Sequence, residues 1–480
     1  MKSKSNQALP DRTTDMSAWY QEVIARAELA EHAAVKGCMV IRPYGYAIWE
    51  FIQSTLDARI KARGVSNTCF PMLIPESYLS REKDHVEGFA PEVAVVTYAG
   101  GEELQERLIV RPTSETIVHE SMARWINSYR DLPLRINQWG NVVRWEKRPR
   151  LFLRNTEFLW QEGHTAHATE AEARQEVAEM VTVYNDFVSE VLAIPTVCGV
   201  KSEKEKFAGA VESHSIEGLM PDGKGLQMGT IHYLGENFSR MASVTFLDKD
   251  GEQKFVHMTS WGVSTRLIGA LIMVHGDDRG LVLPPEVAPS QVVIVPVAAE
   301  KDPELVMSRV SEVAQQLRGL GLRVQVDDRD GVKPGAKFYQ HEMRGVPLRI
   351  EIGPRDAAQN TLVCAWRFAG EKEHLSMDAL ETLPDRLSDV QRAMFEKTST
   401  DLTEHTISVY SKDEFVGRLN RQDGFISARW CGSPACERAI KEETSATTRN
   451  MPYVVHMHEE GNCIWCDDPA TTTVFFSKSY

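Results

Sequence analysis

The sequence has no Gly-rich phosphate loop and no dinucleotide fingerprint, so the commonest main-chain cradles for a nucleotide are excluded and any phosphate must be handled by side chains. No apolar run approaches the ~20 residues a membrane-spanning helix needs, and the polar stretch Met1–Asp15 lacks the apolar segment of a secretory signal. A soluble, cytoplasmic protein is predicted. Positive charge is also short: 54 Lys and Arg against 68 Asp and Glu leave a formal net charge of −14. That speaks against nucleic-acid binding through bulk charge, although local basic patches on a large acidic protein remain open. Cysteine is sparse, eight in 480 residues, with four scattered (Cys38, Cys69, Cys198, Cys364) and four gathered near the end. Scattered thiols in a cytosolic chain read as buried and reduced rather than as a disulfide framework. Internal repeats and low-complexity tracts are absent.

A chain of 480 residues exceeds one ordinary core, and two to four domains are predicted. Trp19–His32, rich in Ala and Glu, reads as a first helix. Ile48, Phe51, Ile52, Leu56 and Ile60 recur at helical spacing until Gly64. Strand-like runs follow at Leu108–Arg111, Arg135–Arg144 and Phe158–His164, and Thr169 with Glu172 three residues on marks a capped helix start. Composition shifts at Leu283-Pro284-Pro285, and the apolar strand Val292–Val297, the helical face Val306 to Leu317 and the strand Leu322–Val326 predict a right-handed parallel unit. Leu380–Thr398 reads as a helix leading to a third unit. The predicted partition is 1–287, 288–400 and 401–480.

Two segments carry cationic chemistry. Arg144-Trp145-Glu146 ends an apolar strand and is followed by a loop with Lys147, Arg148, Arg150 and Arg154, and Ser264-Thr265-Arg266 opens an apolar helix-like run. Taken alone, Arg-x-Glu at a strand end is most often a surface ion pair. Taken together, these segments match the second and third signature motifs of class II aminoacyl-tRNA synthetases, and the helix ending at Gly64 with its following strand and proline matches the first. Within that class the chain resembles the prolyl-tRNA synthetases of the archaeal and eukaryotic-cytoplasmic type. The blocks that carry the resemblance are residues 111–115 (RPTSE), 137–146 (NQWGNVVRWE), 157–164 (EFLWQEGH), 203–209 (EKEKFAG), 227–232 (QMGTIH) and 275–284 (HGDDRGLVLP).

The resemblance implies an α+β catalytic domain on an antiparallel sheet, an α/β anticodon-binding domain and a small zinc-containing α+β C-terminal domain. It implies that proline and ATP form prolyl-adenylate, with Mg2+ screening the phosphates, and that proline is then passed to tRNA(Pro). Arg144 and Arg266 become the catalytic residues. Thr113, Glu115, Arg144, Trp160, Glu162, His164 and His232 become the proline pocket. Arg144, Glu146, Arg154, Asn155, Gln227, Thr230, Ser264 and Arg266 become the ATP contacts. Asn155 departs from the threonine the family usually shows there, though an amide still offers an acceptor and a donor. In the second domain Phe338, Glu342, Arg349 and Asp356 are assigned to the anticodon, with Lys333, Lys337, Arg344 and Arg355 as further cations able to face phosphate; solvated surface charge is the competing reading.

Cys431/Cys436 and Cys463/Cys466 form two short-spaced pairs, the pattern of a closed tetrahedral zinc site with one structural Zn2+. In the family a terminal tyrosine, at the position of Tyr480, points its carboxylate toward the active site. The class II motif 1 helix usually forms a homodimer interface, and the aromatic-rich helix Tyr44–Arg63 is assigned that role. A threonyl enzyme would need a metal in its substrate pocket, with Cys and His ligands that no segment near Arg144 supplies. A non-catalytic paralogue would have lost Arg144, Glu146 or Arg266, and all three are present. The stretch from His164 to Gln227 is too short for the editing domain that bacterial-type prolyl enzymes carry there, so correction of alanine errors falls to a separate protein.

Overall fold

The computed structural model describes residues 8–78, 93–453 and 461–480; the first seven residues of the polar N-terminal stretch lie outside them. Its spine is an antiparallel sheet in which Val197–Val200, Glu212–Leu219, Gly225–Gly235, His257–Ser264, Glu157–His167 and Leu134–Val143 lie side by side. Successive side chains of these strands point to opposite faces, so one face can be buried while the other is kept for chemistry. The buried face is covered by the helix Glu170–Val191, which inserts Val177, Met180, Tyr184, Phe187 and Val188; each such side chain contributes ~1.5–3 kcal/mol on leaving water. The capping box read from Thr169 and Glu172 forms as expected: the Glu172 N–H donates to Thr169 Oγ1 at 3.2 Å and the Thr169 N–H to Glu172 Oε2 at 3.2 Å. The helix Arg266–His275 buries seven of its ten residues, which is why it is apolar all round.

The first helix is shorter than its composition predicts. It spans Met16–Arg26, Glu28 then takes φ 58°, and Ala30–His32 is a strand paired antiparallel with Met39–Ile41. Helix propensity is a weak bias, and the hairpin wins because it buries Leu29 and gives its carbonyl to the Arg42 N–H at 2.8 Å. The helix Pro43–Lys61 buries Ile48, Trp49, Ile52, Leu56 and Ile60. Its aromatics are not the open surface the sequence suggested: Trp49 is buried, Tyr44 lies beneath Arg344 and Phe51 beneath Arg323, and only Tyr46 among them is exposed.

The second unit is a five-stranded sheet ordered Val324–Val326, Val292–Pro296, Leu348–Ile352, Thr361–Trp366 and Lys372–Ser376. The first three strands are parallel and the last two antiparallel. The helix Pro303–Gly319 crosses from Val292–Pro296 to Val324–Val326 with Val306, Val310, Val313 and Leu317 inward, as the periodicity required. The helix Leu383–Glu404 then runs unbroken past Asp401, where the sequence placed the edge of the third unit.

The C-terminal unit adds four strands, Thr406–Ser408, Phe425–Trp430, Thr472–Ser477 and Thr447–Pro452, around Phe415, Trp430, Ile440 and Phe476. It does not hang free. Thr447–Pro452 pairs with Val197–Val200, so the two sheets are one sheet of eleven strands. Gly199 makes this possible, because any Cβ there would collide with the Met451 carbonyl.

Candidate functional site: an anion-binding cavity and a four-cysteine cluster

A cavity of about 440 Å³ opens on the free face of the catalytic sheet. Its position follows from strand register. Trp160, Glu162 and His164 alternate along one strand and share a face, and His164 lies opposite Ser260, which in turn lies opposite His232. Thr113, Glu115, Trp160, Glu162, His164, His232, Gln227, Thr230, Ser264 and Arg266 line it together, and Arg144 belongs to the same wall. Eleven of the residues assigned from sequence are thus gathered in one cavity. Glu146, Arg154 and Asn155 are not among its lining residues. Arg154 Nε lies 3.5 Å from Glu146 Oε1 at the surface, and Asn155 is buried with its amide nitrogen 3.5 Å from the Gly37 carbonyl.

The opposite face of the same strand is packed tightly. Gly163 lies against the Trp261 ring, and a Cβ at 163 would overlap it. Gly163→Ala should therefore force Trp261 or the strand to move, an overpacking cost of ~1–3 kcal/mol. The check is thermal unfolding, where an unchanged melting temperature would mean that the strand accommodates the methyl freely.

The charges in the cavity are arranged in two groups. Glu162 is buried, accepts from Ser114 Oγ and Gln138 Nε2, and lies 3.3 Å from His164 Nε2. Burial pushes the Glu162 carboxyl up, but His164 and the other donors outweigh it and hold it below the ordinary value. Burial likewise pulls His164 down, yet its hydrogen bond to Glu162 and that carboxylate's charge leave it above the ordinary value. His232 behaves differently: burial and then Lys201 pull it down to about 3, so it is a neutral ring, bonded to Ser213 Oγ at 2.8 Å and stacked on Phe207. Thr113 Oγ1 donates to Glu115.

Arg144 and Arg266 form the second group. Arg144 Nε donates to the Pro112 carbonyl at 2.9 Å, and its guanidinium sits over Trp160 and Phe158 at 5.3 and 5.7 Å. Arg266 donates to the Leu153 and Gln227 carbonyls at 3.3 and 3.2 Å. Among the described residues neither guanidinium bonds a carboxylate. Burial and the neighbouring Arg144 pull Arg266 down to about 10. Two neighbouring buried guanidiniums whose hydrogen bonds go to main-chain carbonyls suit an anionic ligand such as phosphate.

Sequence reasoning missed Lys201, Glu205, Phe207 and Phe158 in the cavity wall. Phe207 lies within the matched block 203–209 and Phe158 sits two residues from Trp160, so alternation could have found the latter. Nothing local marks Lys201.

In the second unit Arg349 covers the Phe338 ring at 4.2 Å and Glu342 accepts from Arg279 at 2.8 Å, beside a small surface pocket. Asp356 lies beyond the far end of the Leu348–Ile352 strand, where it caps a helix through the Gly353 N–H at 3.0 Å. Lys337 does not face solvent as a phosphate contact would: it is buried with Nζ on the Asp327 carbonyl at 3.0 Å. Arg344 is likewise engaged, on Glu28.

The four clustered cysteines do converge. Their sulfurs all lie within 4.8 Å of one another, with Cys436–Cys463 and Cys431–Cys466 each at 3.6 Å. A tetrahedral Zn–S4 centre with bonds of ~2.3 Å places its sulfurs ~3.8 Å apart, so the donor set and its spacing fit that ion. Tyr480 donates its phenol to Asp222, and its ring lies under Arg150 of the loop after Arg144 and under Lys224. Among the described residues no helix is long and apolar enough to cross a membrane.

Comparison with known proteins agrees with this geometry along the whole chain. Residues 96–275 match the family described as tRNA synthetase class II core domain (G, H, P, S and T), residues 291–383 the anticodon binding domain, and residues 412–480 the family Prolyl-tRNA synthetase, C-terminal. A proline–tRNA ligase of Symbiobacterium thermophilum is 51% identical, covering 98% of this chain and 97% of its own. One of Prosthecochloris aestuarii is 50% identical over 98% of both chains. Among solved structures, the crystal structure of prolyl-tRNA synthetase from Cryptosporidium parvum complexed with halofuginone and AMPPNP is 42% identical, with a TM-score of 0.93 over 98% of this chain and 99% of that one. On matches of this extent, built on a sheet and cavity that supply the same chemistry, the chain belongs to the prolyl-tRNA synthetases, the proline–tRNA ligases of class II.

Proposed function

We propose that the cavity activates L-proline with ATP and passes the resulting prolyl group to tRNA(Pro), with the residues divided as follows. The proline carboxylate is already a nucleophile, so attack on the α-phosphate needs no general base. Catalysis rests on alignment and on neutralising phosphate charge. Arg144, in the cavity wall, contacts both the α-phosphate and the proline carboxylate. Arg266 takes the outer phosphates, and Gln227, Thr230 and Ser264 the rest of the nucleotide, with Glu146, Arg154 and Asn155 as its further contacts. Mg2+ arrives with the nucleotide and screens the expelled pyrophosphate. Thr113 and Glu115 accept the secondary ammonium, while Trp160, the Glu162–His164 pair and the neutral His232 wall the ring. The observation that carries this reading is the pair of guanidiniums without a carboxylate partner beside a slot lined by carboxylates. Pyrophosphate exchange measured with each amino acid in turn tests it: exchange supported best by proline is expected, and exchange supported best by threonine would replace this reading with the threonyl one.

The partition into a catalytic domain (1–287), an anticodon-binding domain (288–400) and a C-terminal domain (401–480), a structural Zn2+ on Cys431, Cys436, Cys463 and Cys466, a cytoplasmic homodimer, and anticodon contacts through Phe338, Glu342, Arg349 and Asp356 belong to the same proposal. Its assignment to the archaeal and eukaryotic-cytoplasmic type rests on architecture, a C-terminal zinc domain and no inserted editing domain. The relatives named above at half identity are bacterial, so that type describes how the chain is built and not its lineage.

Absence of an editing insert has a measurable consequence. Only a helix, a turn and short strands separate His164 from Gln227. Alanine fits wherever proline fits, and it forgoes only ~1–3 kcal/mol for each missing methylene. Alanine-dependent pyrophosphate exchange is therefore expected, and pre-formed alanyl-tRNA(Pro) should deacylate at the buffer rate, leaving correction to a separate protein. Deacylation well above that rate would sink this expectation.

A further inference from the structure

The C-terminal unit reaches the catalytic cavity through two buried side chains that no assignment so far uses. Arg449, on the strand Thr447–Pro452, donates from Nη2 and Nε to Glu217 Oε2 at 2.6 and 3.2 Å. Glu217 is completely buried within the catalytic sheet. Its other oxygen, Oε1, accepts no hydrogen bond and lies 3.8 Å from Nζ of Lys201. Lys201 is buried too, and it lines the cavity that holds Arg144 and Arg266. The next residue, Ser202, donates to Glu437 Oε1 at 2.9 Å, an oxygen that also accepts from Thr448 Oγ1 at 2.5 Å. Glu437 is buried and directly follows Cys436 of the four-cysteine cluster. From Ser202 the chain turns, its carbonyl accepting from the Glu205 and Lys206 N–H groups, and leads to Phe207, which stacks on His232.

We propose that Arg449 and Glu437 are positioning residues for the catalytic cavity, holding Lys201–Ser202 so that Lys201 serves as a third cation toward the anionic oxygens of the bound substrates. This rests on the reading of the cavity given above. The physical reason lies in the charge order Arg449, Glu217, Lys201. With Arg449 in place, Glu217 is already neutralised and the Lys201 ammonium stands beyond hydrogen-bonding distance of it. Without Arg449, a buried carboxylate with a free oxygen would face the nearest cation, and Lys201 would be drawn out of the cavity wall. Glu437 fixes the adjoining main chain, so that Lys201 cannot shift without breaking the Ser202 contact. The anionic oxygen that Lys201 meets is either the amino-acid carboxylate or a nucleotide phosphate, the same chemistry from two substrates.

The test is kinetic, on the full-length protein. Proline-dependent pyrophosphate exchange by the unaltered chain is the control: without it the functional reading fails, whereas with it the variants report on this inference alone. Arg449→Met should lower kcat/KM at least tenfold, and Glu217→Gln added to it should restore most of the loss, because removing both charges leaves Lys201 free again. Lys201→Gln should match the Arg449→Met loss and add little when combined with it. A rise in KM for ATP would assign Lys201 to phosphate, and a rise in KM for proline would assign it to the carboxylate. A purely structural role for Arg449 predicts that the double variant is no better than the single, and that result would overturn the proposal. If Arg449→Met shows no cooperative thermal unfolding, Lys201→Gln decides: wild-type kinetics there overturn the proposal by themselves.

Discussion

Arg266→Ala should abolish detectable adenylate formation while leaving the protein as stable as before. Its guanidinium lines the cavity, donates to two main-chain carbonyls at long range, and stands close enough to Arg144 for that cation to lower its proton affinity. Removing it sacrifices donors aimed at phosphate oxygens, and in preorganised sites each such donor is worth ~10²–10³ in rate. Arg144→Ala should abolish adenylate formation too and also raise the KM for proline, because the proposed role of its guanidinium includes both substrates. Stability should change little on removing Arg266, because burial and the neighbouring Arg144 outweigh the attraction of Glu217, so its melting temperature should hold. Pyrophosphate exchange together with a thermal melt reads both effects. Exchange within tenfold of the unaltered protein would remove Arg266 from its assigned role, and a fall in melting temperature would mean that it is a structural ion rather than a ligand-facing one.

Stripping metal from the four-cysteine cluster should unfold the C-terminal unit. Cys436 and Cys463 are buried members of its small apolar core, beside Phe415, Trp430 and Phe476, and they come from segments 27 residues apart in sequence. This core is small and only one of its strands pairs with the catalytic sheet, and structural zinc sites contribute ~10–16 kcal/mol in small metal-folded peptides. Four sulfur ligands leave no open coordination position, so the ion would act on folding and not on the chemistry. Elemental analysis after chelator-free purification should give one zinc per chain. Chelation, or Cys463→Ser, should then produce a separate early melting transition and faster proteolysis after residue 404. A metal-free protein with the same single transition would rule the site out.

Much of the fold was legible because its signals are local. The Thr169/Glu172 capping box, the inward face Val306 to Leu317 of the second unit and the apolar run after Arg266 each depend on spacing within one element, and each stands as expected. The alternation Trp160, Glu162, His164 was enough to place three side chains on one face of one strand. Where a local signal met a long-range competitor, the competitor won. Trp19–His32 has good helix propensity, yet its last residues gain more by pairing with Met39–Ile41 than by continuing the helix. Lys337 reads as a surface cation at the start of a helix, and it is instead buried on Asp327.

By itself the sequence determined the residue types available: no glycine loop, arginines at Arg144 and Arg266, and four cysteines in two close pairs, while the roles of Glu115, Glu162, His164 and His232 came from the resemblance. Only the tertiary structure decided how far apart those parts act. Register across His257–Ser264 set His232 level with His164 on either side of Ser260, although they are 68 positions apart in sequence, and strand pairing at Gly199 fused the C-terminal unit to the catalytic sheet. The physical reason is that residue type sets what a group can bond, while its charge state and reach are set by neighbours that burial brings close. His232 is neutral because it is buried near Lys201, and Lys201 faces the cavity beside a Glu217 already occupied by Arg449 from another unit. No short window of the sequence contains those four residues together.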